Sequence, residues 1–476
     1  MNKYPDVVVF DSHYKTELFV ELTKRYLTHF IYVNEGYCRN HVLKFLPHHT
    51  KLMNISDREF DRWHPNNLIG TKQRVEFWLT SGIKELELDA VDLILQDRKL
   101  RDLDFREVGT YLFWIYIKVS EMAKCLKPSS IVVMEPTWAH ELLAARILEK
   151  YGHTVYQPKK CKLRHKIFYW FIGVRNERYV INQDTVGVMS LRETVAYASS
   201  TQVPNFKRDA NRNTSVSWIT NNCFRMMREL IMREKNRFIH PPFFSEFVRK
   251  LKSIFRSLPL SSKKIQSSWL SLDLCLSQKF VYFPLHYEPE AMINVIGEEL
   301  RYQIETVRRL RSLLDPAFHL IVKEHPHCFG NRGLDFYREL ESIEGVSLAK
   351  LSVNSRDLIK SASLTIAIAG TAALEALLIG KRAVTLKRMY FSDSSEIELL
   401  DLYSKDAKRA LDKIITKLAD SNSTISDSAL SELDAGGFIG SVSDRWLESS
   451  SVSEENLTLV RRSFDRVIAF HCKKRA

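Results

Sequence analysis

The stretch ASLTIAIAGTAALEALLIG, residues 362–380, decides the fold. It is long enough to cross a bilayer core of roughly 30 Å. Two features argue against a span: Glu375 lies inside it, and Gly370-Thr371 interrupts it. A buried strand, a tight turn and a buried helix fit the pattern better. A β-branched run passing through glycine into a helix is one unit of a parallel sheet covered on both faces.

The same rhythm extends in both directions. Upstream lie strand KFVYFPLH (279–286), a helix over 297–314, strand FHLIVKEHP (318–326), helix GLDFYRELESI (333–343), a short strand at 346–348 and helix SRDLIKSA (355–362). Strand RAVTLK (382–387) follows. The first half repeats the alternation with DVVVFDSH (6–13), a helix over 14–27, HFIYVN (29–34), a long helix over 106–126, SIVVMEP (130–136), TWAHELLAARILEKYG (137–152) and TVYQP (154–158). The predicted architecture is therefore α/β with two Rossmann-like doubly wound domains. The expected domains are 1–205, a basic helical linker region 206–270, a second domain 271–430 and a C-terminal helical segment 431–476 that crosses back to brace the first domain.

At 476 residues, 45% apolar and 11% aromatic, the chain can bury sizeable cores, which excludes global disorder. Seven scattered cysteines form no CxxC pair and no metal-finger spacing, which suggests a reducing compartment. The apolar run before Asp11 is too short for a secretory signal. The expectation is a cytoplasmic protein. Net charge is +13, and eleven Lys/Arg against three Glu between Phe224 and Lys264 account for +8 of it. That block is expected either to be a solvated linker face or to hold the protein peripherally to anionic lipid at the inner face of the cytoplasmic membrane. No RNA-binding signature or zinc finger accompanies it, so nucleic acid is not an expected partner.

In an open parallel sheet, ligands collect outside the carboxyl ends of the strands. In the second half, polar residues gather at three such ends. They are His286, Tyr287, Glu288 and Glu290; Lys323, Glu324, His325 and Pro326, with Arg332 downstream; and Gly370, Thr371 and Glu375. Gly370 permits a close backbone approach, and Thr371 is a candidate N-cap beside first-turn N–H groups that suit an anion. Glu375, one helical turn on, can face the same ligand. An imidazole at His325 can donate to a leaving phosphate. Each cluster alone reads equally as an ordinary charged turn or cap; three at matching strand ends favour a nucleotide grip.

Those segments, KFVYFPLHYEPEA, IVKEHP and IAGTAALEALLIGK with Tyr390-Phe391 after them, resemble the C-terminal half of bacterial capsule polysaccharide biosynthesis proteins. That group includes Kdo transferases and, more broadly, GT-B glycosyltransferases. The resemblance covers about 110 residues, 279–391. It implies two domains facing a cleft, a nucleotide sugar held mainly by the C-terminal domain, and neither metal nor cofactor. It also implies that His325 and Pro326 match an HP motif contacting the donor phosphate, and that Gly370, Thr371 and Glu375 grip the nucleotide. His286, Tyr287 and Glu290 match a loop whose role follows only from its position. Arg382 and Ala383 stand where a proline is common in the family.

In the first half, Asp11 and His13 follow one strand and Glu135 another, where each can deprotonate or orient an acceptor hydroxyl or simply cap a helix. The combined expectation is a metal-independent GT-B glycosyltransferase. It would move a sugar from a nucleotide-sugar donor, a CMP-Kdo-like one among the candidates, to a capsular or lipopolysaccharide-type polysaccharide or its lipid-linked primer. The rival readings are a nucleotide-sugar epimerase of the same fold and a non-catalytic polysaccharide-assembly scaffold.

Overall fold

The computed structural model describes residues 4–11, 15–33, 35–63, 71–97, 100–101, 103–161, 167–174, 178–179, 252, 268–288, 297–325, 328, 332–389, 391–392, 397–419, 437–443 and 448–474. Nearly all of the linker 206–270, and with it the basic block 224–264, lies outside these residues, as do His13, Glu290 and Pro326. The described chain forms two compact units, one from the N-terminal part together with the C-terminal residues, the other from the part between.

The first unit holds β1 (Val7–Phe10), β2 (Leu27–Tyr32), β3 (Lys51–Asn54), β4 (Ile131–Val133), β5 (Thr154–Lys160), β6 (Ile167–Ile172), β7 (Arg178–Tyr179) and a short strand Phe438–Ile439. Five strands run parallel in the order β3-β2-β1-β4-β5. Every residue of β1 and β4 is fully buried, as a sheet covered on both faces requires. β6 returns antiparallel against β5, and Phe438–Ile439 pairs with β6. An antiparallel return needs no crossover helix, so β6 falls outside the β–α alternation read from the sequence. β3 was equally silent there: as an edge strand it is half exposed and carries no apolar run.

The helix Glu454–Lys473 closes this unit. Ser453 caps it by accepting from the N–H of Asn456. Its buried face, Val460, Phe464, Val467 and Ile468, joins the core around Phe19, Phe30 and Trp170. Each such side chain contributes roughly 1.5–3 kcal/mol by leaving water. Polar contacts set its register: Arg461 to the Glu21 carboxylate at 2.8 Å, Tyr26 to Asp465 at 3.0 Å, and Trp170 Nε1 to Ser463 Oγ at 3.0 Å. The C-terminal helix thus braces the N-terminal unit.

The second unit is all parallel: β8 (Phe280–Pro284), β9 (His319–Lys323), β10 (Val346–Leu348), β11 (Leu364–Ala367), β12 (Ala383–Thr385) and β13 (Ile397–Leu399). The order is β10-β9-β8-β11-β12-β13. From β8 the chain steps outward twice, then jumps to the other side of β8 and steps outward again. That is the doubly wound order of a dinucleotide-type fold, with its crevice between β8 and β11. Residues 362–380 resolve into β11, a turn at Gly370 and the helix Thr371–Leu378, which Gly380 ends at φ +76°. Among the described residues no helix is long and apolar enough to cross a membrane, and no disulfide joins the described cysteines.

Candidate functional site

The crossover between β8 and β11 brings His286 against Gly370. A Cβ added at Gly370 would lie 2.7 Å from His286 Cε1, so only glycine fits beside the ring. The ring is buried, and its Nε2 accepts from the Ala369 N–H at 3.5 Å. Burial first, then the charges of His325 and Arg332, push the imidazole down to about 4. It is therefore neutral at physiological pH. With Nε2 accepting, the hydrogen-bond network assigns the proton to Nδ1.

The helix Thr371–Leu378 starts at this point with Gly370 as its cap residue and no side-chain cap. Thr371 is the first helical residue and not the cap that its type suggested. Its hydroxyl instead donates to Glu375 Oε1 at 3.1 Å. The first-turn N–H groups are thus left to solvent or a ligand. Burial raises the Glu375 carboxyl, while the Thr371 hydroxyl and then Arg356 act in the opposite direction.

The end of β9 adds Lys323, Glu324 and His325. Lys323 is 3% exposed, and burial lowers its ammonium to about 8, with Glu324 partly offsetting that. The rings of His325 and Tyr287 lie 5.8 Å apart, so the β8 and β9 ends share one rim. Glu324 is fully engaged within the protein. One oxygen accepts from Arg332 and from the His325 N–H at 2.6 Å, the other from the Tyr337 hydroxyl at 2.7 Å. Its carboxylate thus faces partners inside the fold.

Two residues that sequence reading did not place at the site, Gln303 and Cys328, fasten it together with Arg332, which it noted only as lying downstream. Gln303 takes the His286 N–H at 2.7 Å and donates to the His286 carbonyl and the Glu288 carboxylate. Arg332 donates to the His286 carbonyl at 2.7 Å. The Cys328 sulfur receives the Glu288 N–H at 3.2 Å. The available signal was Glu324 itself: a carboxylate at the end of an apolar strand calls for a cation partner, and Arg332 is the nearest arginine in sequence.

The first unit has its own crossover, between β1 and β4, and there Asp11 and Glu135 sit; His13 lies outside the described residues. Asp11, 1% exposed, accepts from Thr16 Oγ1 at 2.5 Å and from the Val33 N–H and Cys38 thiol, each at 3.4 Å. Glu135 pairs with Lys15. The following helix, Ala139–Lys150, is capped by its own chain. Glu141 accepts from the N–H groups of Thr137 at 2.7 Å and Trp138 at 3.0 Å, and Asp97 from that of Ala139 at 2.9 Å.

No protein-family model and no curated protein matches the sequence. Among solved structures the chain is similar to the β-Kdo 2,7 transferase of Thermosulfurimonas dismutans KpsC, at 12% identity over 74% of this chain and 89% of that one, with a TM-score of 0.32. The β-Kdo 2,4 transferase of the same protein gives 10% identity over 66% and 81%, TM-score 0.29. UDP-GlcNAc 2-epimerase from Methanocaldococcus jannaschii gives 12% identity over 89% and 94%, TM-score 0.25. Likenesses this distant assign neither an activity nor a residue to the chain.

Proposed function

We propose that the second unit binds a nucleotide sugar and that the protein is a metal-independent glycosyltransferase of GT-B type, acting in surface-polysaccharide synthesis. The observation that carries this reading is the uncapped helix mouth at Gly370, flanked by the neutral His286 and, at the neighbouring strand end, by Lys323 and His325. Phosphate oxygens accept from the first-turn N–H groups and from His286; the ammonium of Lys323 offsets their charge. Glu375, held by Thr371, takes ribose hydroxyls. His325 protonates or charge-stabilises the leaving phosphate, and no metal is required for that step. Glu290 and Pro326 belong to the same donor loops by sequence.

On the acceptor side, Asp11, His13 and Glu135 are the candidates to orient or deprotonate a hydroxyl. Glu135, half-buried and paired with Lys15, suits that role better than Asp11, which is buried and whose oxygens serve Thr16 and Cys38. The acceptor is a capsular or lipopolysaccharide-type glycan or its lipid-linked primer. Peripheral membrane contact through 224–264 belongs to the same proposal.

The test is a thermal-shift screen of CMP-, UDP-, GDP- and TDP-sugars on wild type and His325→Ala. At least one donor should stabilise the wild type, and the variant should respond less. No response from the wild type would remove the transferase reading. Product analysis without acceptor then separates the rivals: an epimerase converts the donor alone, a transferase does not, and a scaffold binds no donor.

A further inference from the structure

Arg332 is 8% exposed and reaches three segments of the second unit. Its Nη2 donates to the His286 carbonyl and lies 3.4 Å from the Glu288 carboxylate. Its Nη1 pairs with Glu324, and its guanidinium lies over the Phe336 ring at 4.7 Å from the centroid. We propose that Arg332 is a positioning residue of the nucleotide site: it seats His286 against Gly370 and ties that loop to the end of β9, so that His286 meets a phosphate as a neutral donor. The inference rests on the nucleotide-binding reading above and adds a residue to it.

Geometry carries the case. The two nitrogens of one planar fork contact different loops, which an ammonium on a flexible stem cannot reproduce. The His286 backbone is held at both polar atoms, its N–H by Gln303 and its carbonyl by Arg332 and Gln303, so the ring has one place to go. That place is fixed to the wedge against Gly370 by the Ala369 N–H on Nε2. Nδ1, the remaining ring nitrogen, is then the donor.

Charge supports the same conclusion. The groups around His286 are Glu288 on its own loop, Lys323, Glu324 and His325 at the end of β9, the Cys328 thiol and Arg332 beyond it, and Glu375 on the helix that starts at Gly370. Arg332 is one of the causes that disfavour the imidazolium, and it neutralises Glu324, which would otherwise favour it. Without Arg332 one cause of the lowered imidazole is gone, while burial, the largest, remains.

A buried ion pair can also serve stability alone, so the test separates the two roles. It compares full-length wild type with Arg332→Lys and with the double variant Arg332→Met/Glu324→Gln, which removes both members of the Arg332–Glu324 pair and leaves Tyr337 an acceptor. Melting temperature, calorimetric binding of CMP, UDP, GDP and TDP, and a histidine 15N NMR titration of His286 are measured on each. The double variant is expected to melt near the wild type yet bind nucleotide at least about tenfold more weakly, as a misplaced first contact would. Its His286 should titrate higher than in the wild type, because a cation beside the ring is gone. Arg332→Lys should show the same loss of binding. Wild-type affinity in the double variant, or an unchanged His286 titration, would make the pair merely structural and overturn the proposal. If wild type binds none of the four nucleotides, the nucleotide reading falls, and the His286 titration still decides whether Arg332 seats the ring.

Discussion

At the crossover of the first sheet, the helix Ala139–Lys150 begins against two carboxylates of its own chain; at that of the second, the helix Thr371–Leu378 begins on a bare glycine. Both sheets share the 3-2-1-4-5 start of a doubly wound order. Topology alone would therefore offer two equivalent anion sites. The side chains make them different. Asp97 and Glu141 supply in advance the negative charge that a phosphate would bring, and they repel a second one. Gly370 supplies nothing, and the space a side chain would fill is bounded by a neutral imidazole with its proton available. On the proposed reading, a shared fold predisposes to a ligand, and the occupancy of the helix mouth selects which copy binds it.

The comparison breaks most sharply at Gly370. In Gly370→Ala the new methyl collides with His286, and nucleotide affinity should fall about a hundredfold, near 3 kcal/mol. Isothermal calorimetry reads this directly, and an unchanged affinity would mean that phosphate does not sit there.

Acid should probe the same imidazole. The folded His286 titrates at about 4 and the unfolded one near 6.5, so between those values the unfolded chain binds more protons and stability falls as pH drops. The loss attributable to this group is at most about 3 kcal/mol. Urea unfolding at a series of pH values should show it, and His286→Asn should flatten that part of the curve. A wild-type curve that stays level from 6.5 to 4 would contradict the neutral ring.

The first crossover should behave in the opposite sense. Glu141→Ala removes an acceptor from two N–H groups and should cost about 1–2 kcal/mol of stability while leaving nucleotide affinity unchanged. A fall in affinity would show that the first unit holds the nucleotide after all. The smallest effect belongs to Thr371→Val, which frees the Glu375 carboxyl and should weaken nucleoside-phosphate binding by under about 1 kcal/mol. Binding of a ligand lacking the ribose should not change.

Much of this site can be read from the sequence, because its parts are local. Residues 362–380 declare a strand, a turn and a helix through one glycine in an apolar run, and the clusters at 286–288 and 323–325 stand where strands end. What fastens them is not local. Gln303 meets His286 across 17 positions and Arg332 across 46, on contacts that no periodicity encodes. Glu324 looked like a ligand contact for the same reason: its partners Arg332 and Tyr337 come from a later loop and helix. In the first unit, Asp97 reaches the helix at Ala139 from 42 residues upstream, so the occupied mouth could not be told from an open one. Antiparallel β6 escaped because it leaves the β–α rhythm, and edge strand β3 because its half-exposed residues carry no apolar run.

Hydrogen exchange with and without a bound nucleotide sugar tests the contrast between the two mouths most directly. Protection should appear at 285–288, 323–325 and 369–375, and not at 135–141. Protection at 135–141 with none around Gly370 would contradict the account.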